Sequence, residues 1–288
     1  MADLPTVLDQ GRSPVSLANA SRAGLVARWR HLVGAVRAGG GTGPVLGGGF
    51  VLLVVAELVV QTGGLALGEL CHVAALAYLL GGYVLWSREP ERRLLLALSL
   101  LPLVRLLSLS LPTRLVPVLD WYVLIGVPSM LALGLAAREL GLRPADLGLR
   151  LAPIRPELRV AAAGLALSLP AYAILRPQPL VGDPTASGLI VAGAIVAIFG
   201  GLFEELLFRG FIQTVAVQGL ARGGVIVSTA ATALMYAASL DLRYTIFASL
   251  VGAFFGLAVR RSGSIVGASA GHALLFYGQL VVWPLALR

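Results

Sequence analysis

Two adjacent glutamates and an arginine lie within a long apolar stretch near the C-terminal end of the chain. The segment FEELLFRG, residues 203–210, contains Glu204, Glu205 and Arg209, and the preceding segment AIVAIFGG carries no charge. A charge at the centre of a membrane helix costs about 2.5–3.5 kcal/mol even on translocon-insertion scales. Charges at this depth usually mark a functional site, so this group is the first candidate.

The spacing of these three residues assigns them different roles. On a helix Glu205 and Arg209 are an i,i+4 pair, and we expect them to form an ion pair on one face. Glu204 points about 100° away from Glu205 and has no partner on its own helix. A buried carboxylate without a partner is suited to act as a general base or acid. The alternative is that Glu204 pairs with another helix and only stabilises the fold.

A histidine is the natural second member of such a site. The chain has three histidines. His31 lies in the N-terminal leader and His72 has a predicted partner, so the segment GASAGHALLFYGQL supplies the remaining intramembrane candidate, His272. A hydrogen-bonded core histidine is the competing interpretation of His272.

The elements that must position these residues are membrane helices. With 58% hydrophobic and 12% charged residues, the 288-residue chain is far more apolar than a soluble domain, in which about a quarter of residues are charged. Apolar runs long enough to cross a bilayer predict an all-α polytopic transmembrane bundle of eight or nine helices. The runs are at about 45–62, 70–86, 94–111, 116–137, 160–176, 187–207, 224–240, 244–259 and 265–284.

The basic residues predict the orientation of the bundle. The net charge is +8 and every basic residue is an arginine. Arginines concentrate in the leader, in the turn at 87–93, in the loop at 138–159 and in later turns of the same parity. The positive-inside rule then predicts a cytoplasmic N-terminus, and we expect a multi-pass protein of a bacterial inner membrane. Because the arginines are dispersed between apolar runs, nucleic acid is not an expected partner.

The chain is interpreted as a single membrane domain with a leader. We predict a cytoplasmic leader at 1–43, N-terminal membrane helices and a cytoplasmic loop at 44–158, and a catalytic membrane domain at 159–288. Within the leader, apolar residues at helical spacing between Leu25 and Val36 fit either an amphipathic interfacial helix or a solvated segment. The single cysteine, Cys71, excludes an intrachain disulfide and a cysteine-based metal site.

Other charges in the first half of the chain have structural explanations. Arg105 and Asp120 lie at similar distances on either side of the turn around Pro112, so we expect an interhelical ion pair between them. Glu57 and His72 flank the turn at 63–64 in the same way. Both pairs are interpreted as structural, and His72 is kept as a spare candidate for the site.

These motifs resemble a known family. EELLFRG, followed by an apolar hairpin and a final GHALL helix, is similar to the CAAX-processing and bacteriocin-immunity protease family, also called the Abi family. The family pattern is EExxxR, then FxxxH, then HxxxN, and the resemblance covers roughly residues 187–280. It implies an intramembrane glutamic-type endopeptidase that cleaves near the C-terminus of a lipidated or membrane-tethered protein.

The resemblance assigns roles residue by residue. Glu204 would activate the water, Glu205 and Arg209 would be the positioning pair, and His272 would polarise the carbonyl or bind the water. Two positions depart from the family pattern. In MYAAS, Ser239 stands where the family has histidine, and Phe276 stands where it has asparagine. Gln279, seven residues after His272 and therefore on the same helix face, is a candidate substitute for that asparagine.

The departures leave other functions open. A divalent metal between Glu204, Glu205 and His272 is disfavoured, because catalytic zinc commonly takes two histidines, so we expect no cofactor. A chain whose site is disabled by Ser239 and Phe276 would act as a membrane scaffold, immunity factor or binding protein. A proton-coupled transporter is disfavoured, because the sequence shows no internal repeat and no paired broken helices.

Overall fold

The computed structural model describes residues 42–287 except 86–88, 90, 112–114, 183, 221–222 and 240. The residues from Val45 onward form one compact unit. The predicted leader, its amphipathic helix and His31 lie outside the described residues. The predicted boundary between residues 158 and 159 stays a prediction.

Nine helices make up the described part of the chain, which contains no strand, and this confirms the predicted helical bundle. They are α1 (Thr42–Thr62), α2 (Leu65–Leu85), α3 (Glu91–Ser110), α4 (Val118–Glu139), α5 (Ile154–Leu175), α6 (Ala186–Leu220), α7 (Gly224–Ala237), α8 (Leu242–Ser262) and α9, which runs from Val266–Tyr277 through Gly278–Val282 to Trp283–Ala286.

Seven of these helices, α1 to α6 and α8, are long and apolar enough to cross a membrane. Helix α7 is apolar but has only 14 residues. Large apolar side chains face outward from the bundle, among them Leu131, Leu135 and Ile190, which are 65%, 69% and 71% exposed. Such surfaces suit a lipid environment. The protein is an integral membrane protein, and its described residues contain seven helices of full membrane-spanning length among the nine present.

The arginine-rich connections lie at one end of the bundle. Arg93, at the start of α3, donates hydrogen bonds to the carbonyl oxygen of Leu140 after α4 and to Gln218 near the end of α6. The amide of Ile265, between α8 and α9, donates to the carbonyl oxygen of Gly148. These contacts bring together the α2–α3, α4–α5, α6–α7 and α8–α9 connections. They are the connections in which the sequence concentrates its arginines.

Close packing of small residues brings α5, α6 and α9 together. Helix α9 packs against both α5 and the first half of α6. A Cβ atom added to Gly164 of α5 would lie 2.0 Å from the carbonyl oxygen of Gly271 in α9, so only glycine permits this approach. A Cβ atom added to Gly201 of α6 would likewise lie 2.8 Å from the carbonyl oxygen of Ser269 in α9, and this second approach holds the helix of His272 against the helix of Glu204 and Glu205.

Helix α6 contains two wide, π-helical segments on either side of its glutamates. Val196–Leu202 precede Phe203–Glu205, and Leu206–Gln213 follow them. π-Helical turns are rare and occur frequently at functional sites, and each turn holds more residues than an α-turn. They therefore change which residues of α6 face its neighbours, relative to a regular helix.

The ion pair predicted between Arg105 and Asp120 is not formed. The Nη2 atom of Arg105 donates to Oε2 of Glu57 at 2.9 Å, and Asp120 is exposed in the first turn of α4. The similar distances of Arg105 and Asp120 from the turn placed them at the same depth, but they did not specify which helix face each side chain is on. The side chain of Arg105 faces α1. The predicted contact between Glu57 and His72 is confirmed, with 3.4 Å between Oε1 and Nε2.

Candidate active site

A buried ion pair forms the base of the site. Nη1 of Arg209 donates to Oε1 of Glu205 at 2.8 Å, and the two side chains are 1% and 0% exposed. The i,i+4 spacing within α6 brings them together, as the sequence predicted. Each charge largely offsets the desolvation of the other, and the pair holds a carboxylate in a position where an unpaired one would be very costly.

His272 binds the same carboxylate oxygen from the opposite side. Its Nδ1 atom lies 2.8 Å from Oε1 of Glu205. Because Glu205 also accepts from Arg209, its carboxylate is an acceptor, and Nδ1 of His272 is the donor in this contact. In the neutral imidazole, Nε2 then carries a lone pair and can accept a proton or a hydrogen bond. Glu205 therefore fixes both the orientation and the tautomer of His272.

Glu204 faces this free ring nitrogen. Oε2 of Glu204 lies 3.8 Å from Nε2 of His272, and the hydroxyl of Tyr236 in α7 donates to the same Oε2 at 2.6 Å. The Tyr236 oxygen is also 3.4 Å from Nε2 of His272. Three proton-transferring groups from α6, α7 and α9 thus converge on one point, and we name Glu204, Tyr236 and His272 the candidate triad.

The candidate triad lies beside a cavity that two of its members line. Glu204, with 21% of its side chain exposed, and Tyr236 line a cavity of about 220 Å³ between α3, α4, α6 and α7. Aromatic side chains, including Trp121 and Phe203, form much of its wall, while Arg105 also borders it. A larger groove of about 580 Å³ lies around Pro153–Glu157 and Leu257–Ser264, but no member of the candidate triad lines it.

Tyr236 was missed by the sequence reasoning, which aligned Ser239 with the second motif. Ser239 is exposed at the end of α7, where its hydroxyl accepts a hydrogen bond from the amide of Asp241. The π-helical turns of α6 offer a reason, because a wider turn advances less along the axis for each residue. A position of α7 closer to the hairpin turn then lies level with Glu204. A tyrosine within an apolar hairpin was the available signal, since a buried phenol usually requires a partner.

Gln279 and Phe276 lie on the helix of His272 but contribute differently. Gln279 is buried and accepts a hydrogen bond from the hydroxyl of Tyr244 at 3.0 Å. Its contact with the candidate triad is therefore indirect, through the edge-on packing of Tyr244 against Tyr236. Phe276 packs its ring on His272 with 4.7 Å between ring centroids, and it occupies the space left by the missing side chain of Gly200.

The donors available for a metal are few. Oε1 of Glu205 and Nδ1 of His272 already bind each other, which leaves Oε2 of Glu205, the carboxylate of Glu204 and Nε2 of His272. Across the residues that the structure describes, no group of three or more His, Cys, Asp or Glu side chains is arranged to hold a metal ion.

Residues 186–276 match the family model described as type II CAAX prenyl endopeptidase, Rce1-like. The matched segment contains Glu204, Glu205, Arg209, Tyr236 and His272. The match confirms the resemblance predicted from EELLFRG and GHALL, and the matched family is a family of proteases. Comparison with curated proteins and with solved structures gave no match.

Proposed function

We propose that this protein is an intramembrane endopeptidase that hydrolyses a peptide bond near the C-terminus of a membrane-associated or lipidated protein. The observation that carries the proposal is the convergence of Glu204, Tyr236 and His272 beside an apolar cavity that Glu204 and Tyr236 line. The matched family supplies the substrate class, because its description names prenylated CAAX proteins as the substrates of the family's enzymes.

In the proposed mechanism Glu204 is the general base. Its carboxylate removes a proton from a water molecule, and the oxygen of that water forms a bond with the carbonyl carbon of the peptide. The π electrons of the carbonyl move to its oxygen. When the tetrahedral intermediate collapses, the C–N bond breaks and the leaving amine takes the proton from Glu204. A positioned base of this kind contributes about 10²–10⁴-fold to the rate.

His272 and Tyr236 have complementary roles in this scheme. With Nδ1 donating to Glu205, Nε2 of neutral His272 accepts a hydrogen bond from the attacking water and orients its lone pair. The hydroxyl of Tyr236 donates to Glu204 in the free protein. When substrate is bound, the same hydroxyl can turn to the carbonyl oxygen and stabilise its developing negative charge. Tyr236 thus takes over a donor role that Phe276 cannot perform.

Glu205 and Arg209 are positioning residues. The guanidinium of Arg209 and the imidazole of His272 share Oε1 of Glu205, so the ion pair holds the histidine ring at a fixed angle towards Glu204. A rigid support of this type reduces the reorganisation that the site must undergo in the transition state.

We propose further that the scheme uses no metal and that the reaction takes place in a bacterial inner membrane. With Nδ1 of His272 bound to Glu205, the site offers a metal one imidazole nitrogen, whereas catalytic zinc sites commonly use two or more histidine or cysteine ligands. The arginine-bearing connections at one end of the bundle support an orientation with that end, and the N-terminus, in the cytoplasm.

Cleavage of tail reporters by the purified protein tests the proposal. A panel of farnesylated and membrane-tethered peptides with a fluorophore near the C-terminus is incubated with wild type, Glu204→Gln and His272→Ala in detergent micelles. Both variants are expected to lose about 10²-fold or more of the wild-type rate. Glu69→Gln, a matched change in membrane helix α2 outside the cavity, is the control and should retain the wild-type rate.

Two further arms separate the alternatives. Incubation with a metal chelator should leave the rate unchanged, and a loss that added zinc restores would contradict the metal-free scheme. If wild type cleaves no member of the panel but folds and binds the peptides as well as Glu204→Gln does, the protease proposal fails. The scaffold or binding function then becomes the better interpretation of the site.

A further inference from the structure

We infer that Arg105 forms a carboxylate-binding subsite that holds the C-terminal carboxylate of the peptide tail. The inference rests on the proposed function, because it assigns a recognition role to another residue that borders the cavity lined by Glu204. It goes further by naming the group of the substrate that this residue recognises. The sequence reasoning had assigned Arg105 to a structural ion pair alone.

The location of Arg105 is the first argument. It lies on α3, outside the segment matched by the family model, yet it borders the same cavity as Glu204 and Tyr236. Its side chain is 11% exposed, and most of the remaining wall is apolar or aromatic. A cation in such a wall attracts an anionic group strongly, because little water competes for it.

The hydrogen bonds of Arg105 are the second argument. Its Nε and Nη2 atoms each donate to one carboxylate oxygen of Glu57, and Nη1 donates to the hydroxyl oxygen of Ser108 at 3.2 Å. One N–H remains on each of the two terminal nitrogens after these bonds are counted. A guanidinium can bind a second carboxylate with this pair, while Glu57 and Ser108 keep the group oriented.

The subsite explains how an enzyme of this kind would select its bond. In this arrangement Arg105 holds the C-terminal carboxylate while the reacting carbonyl lies at Glu204. The distance between these two points of the cavity sets the number of residues between the cleaved bond and the C-terminus. The free carboxylate exists only at a chain end, so internal peptide bonds of membrane proteins would bind poorly. Arg105 is thus a specificity-determining residue, distinct from the candidate triad.

Paired substrates test the inference on the wild-type protein. Two farnesylated reporter peptides are compared that differ only in a C-terminal carboxylate or carboxamide. The carboxylate peptide should have a kcat/KM higher by about 10- to 100-fold, the range expected for a hydrogen-bonded charged group. Most of that difference should appear in KM, since the subsite acts on binding. Equal values for the two peptides would overturn the inference.

Variants of Arg105 test whether this residue causes the preference for the carboxylate peptide. In Arg105→Gln the ratio between the two peptides should fall to near one, and the ratio is unaffected by the fraction of protein that folds. Because this change leaves Glu57 buried without its guanidinium, the double variant Glu57→Gln, Arg105→Gln provides a second measurement with the same expected ratio. Glu57→Gln alone should keep or raise the ratio, since it removes a competing carboxylate. An unchanged ratio in both Arg105 variants contradicts the inference.

A binding measurement separates failure of the subsite from failure of the proposed protease. Fluorescence anisotropy of the two labelled peptides is recorded with Glu204→Gln, which is expected to bind without cleaving. Preference for the carboxylate peptide that depends on Arg105 supports the subsite even if wild type shows no cleavage. Cleavage without any such preference supports the protease and refutes the subsite.

Discussion

Two buried clusters in this protein have the same composition, a glutamate between an arginine and a histidine, but only one of them lies beside a further glutamate and a tyrosine hydroxyl. The front cluster comprises Glu57, Arg105 and His72, and the back cluster comprises Glu205, Arg209 and His272. In the front cluster each member comes from a different helix, α1, α2 or α3. In the back cluster the glutamate and arginine are neighbours on one turn of α6.

The difference lies in what each cluster presents to its surroundings. The back cluster directs Nε2 of its histidine towards a second glutamate, Glu204, and a phenol, Tyr236, at the edge of a cavity. In the front cluster, Nε2 of His72 is the atom nearest to Glu57, and Arg105 borders the cavity instead. Both clusters therefore contain an ion pair with a histidine, and the back cluster differs in having a ring nitrogen that faces an additional carboxylate.

The largest expected effect is the loss of stability when the arginine of either cluster is replaced, and this loss should differ between the two clusters. Arg209→Met leaves Glu205 fully buried without its cation, and removal of one partner of a buried pair costs about 3–5 kcal/mol. Arg105→Met should cost less, because the side chains of the front pair are 11% and 4% exposed, against 1% and 0% for the back pair. The free energy of unfolding, measured by titration with a denaturing detergent in mixed micelles, checks both values. Equal losses would remove the distinction in burial between the clusters.

The two histidines should separate the clusters by activity. His272→Ala removes the group that orients the water and should lower kcat by about 10²–10³-fold, comparable to loss of a catalytic hydrogen bond. His72→Ala removes no group of the candidate triad and should lower kcat much less. The reporter cleavage assay measures both, and stability is measured in parallel. A similar loss of kcat in both variants would place catalysis outside the back cluster.

Two tyrosines test the contribution of the hydroxyl next to Glu204. Tyr236→Phe removes the donor that contacts Glu204 and should lower kcat by about 10- to 100-fold. This loss is smaller than that caused by removing a full oxyanion donor, because the base Glu204 remains. Tyr244→Phe is the matched control, since its hydroxyl binds Gln279 and touches no triad member. If Tyr236→Phe retains wild-type kcat, the hydroxyl has no catalytic role and only packs in the site.

An exposed ion pair outside the membrane spans provides the smallest expected effect. Asp241 begins α8 by accepting hydrogen bonds from the amides of Arg243 and Tyr244. The hydrogen bond from the Arg243 side chain, with the two amides, lowers the pKa of Asp241 to about 2 from its ordinary value of 3.8. Because the folded pKa is the lower one, this contribution to stability is present above pH 3.8 and is lost as pH falls towards 2.

Asp241→Asn should therefore flatten the acid side of the stability profile. Asparagine keeps the helix cap but not the charge, so the variant should be somewhat less stable than wild type at neutral pH and nearly equal to it at pH 2. Between pH 4 and pH 2 the variant should lose less stability than wild type. Thermal unfolding across this range measures the effect. A profile parallel to that of wild type would show that Asp241 does not contribute to the acid dependence.

The predictable part of the fold followed from apolar length, and the predictable part of the site followed from local spacing. Runs of apolar residues predicted the helices because a membrane-spanning helix must satisfy all its backbone groups internally. The pair Glu205 and Arg209 was predictable because residues four apart on a helix share one face. EELLFRG and GHALL were sufficient to indicate the family that the comparison later matched over residues 186–276.

The tertiary structure decided every contact between helices. The sequence specified the approximate depth of Arg105 but not its rotation about the helix axis, so Glu57 rather than Asp120 became its partner. The register between α6 and α7 depends on π-helical turns that no spacing rule predicts, and it placed Tyr236 rather than Ser239 beside Glu204. Rotation and register are set by the packing of whole helix surfaces, as at Gly164 and Gly271, and such packing has no signature in a single segment.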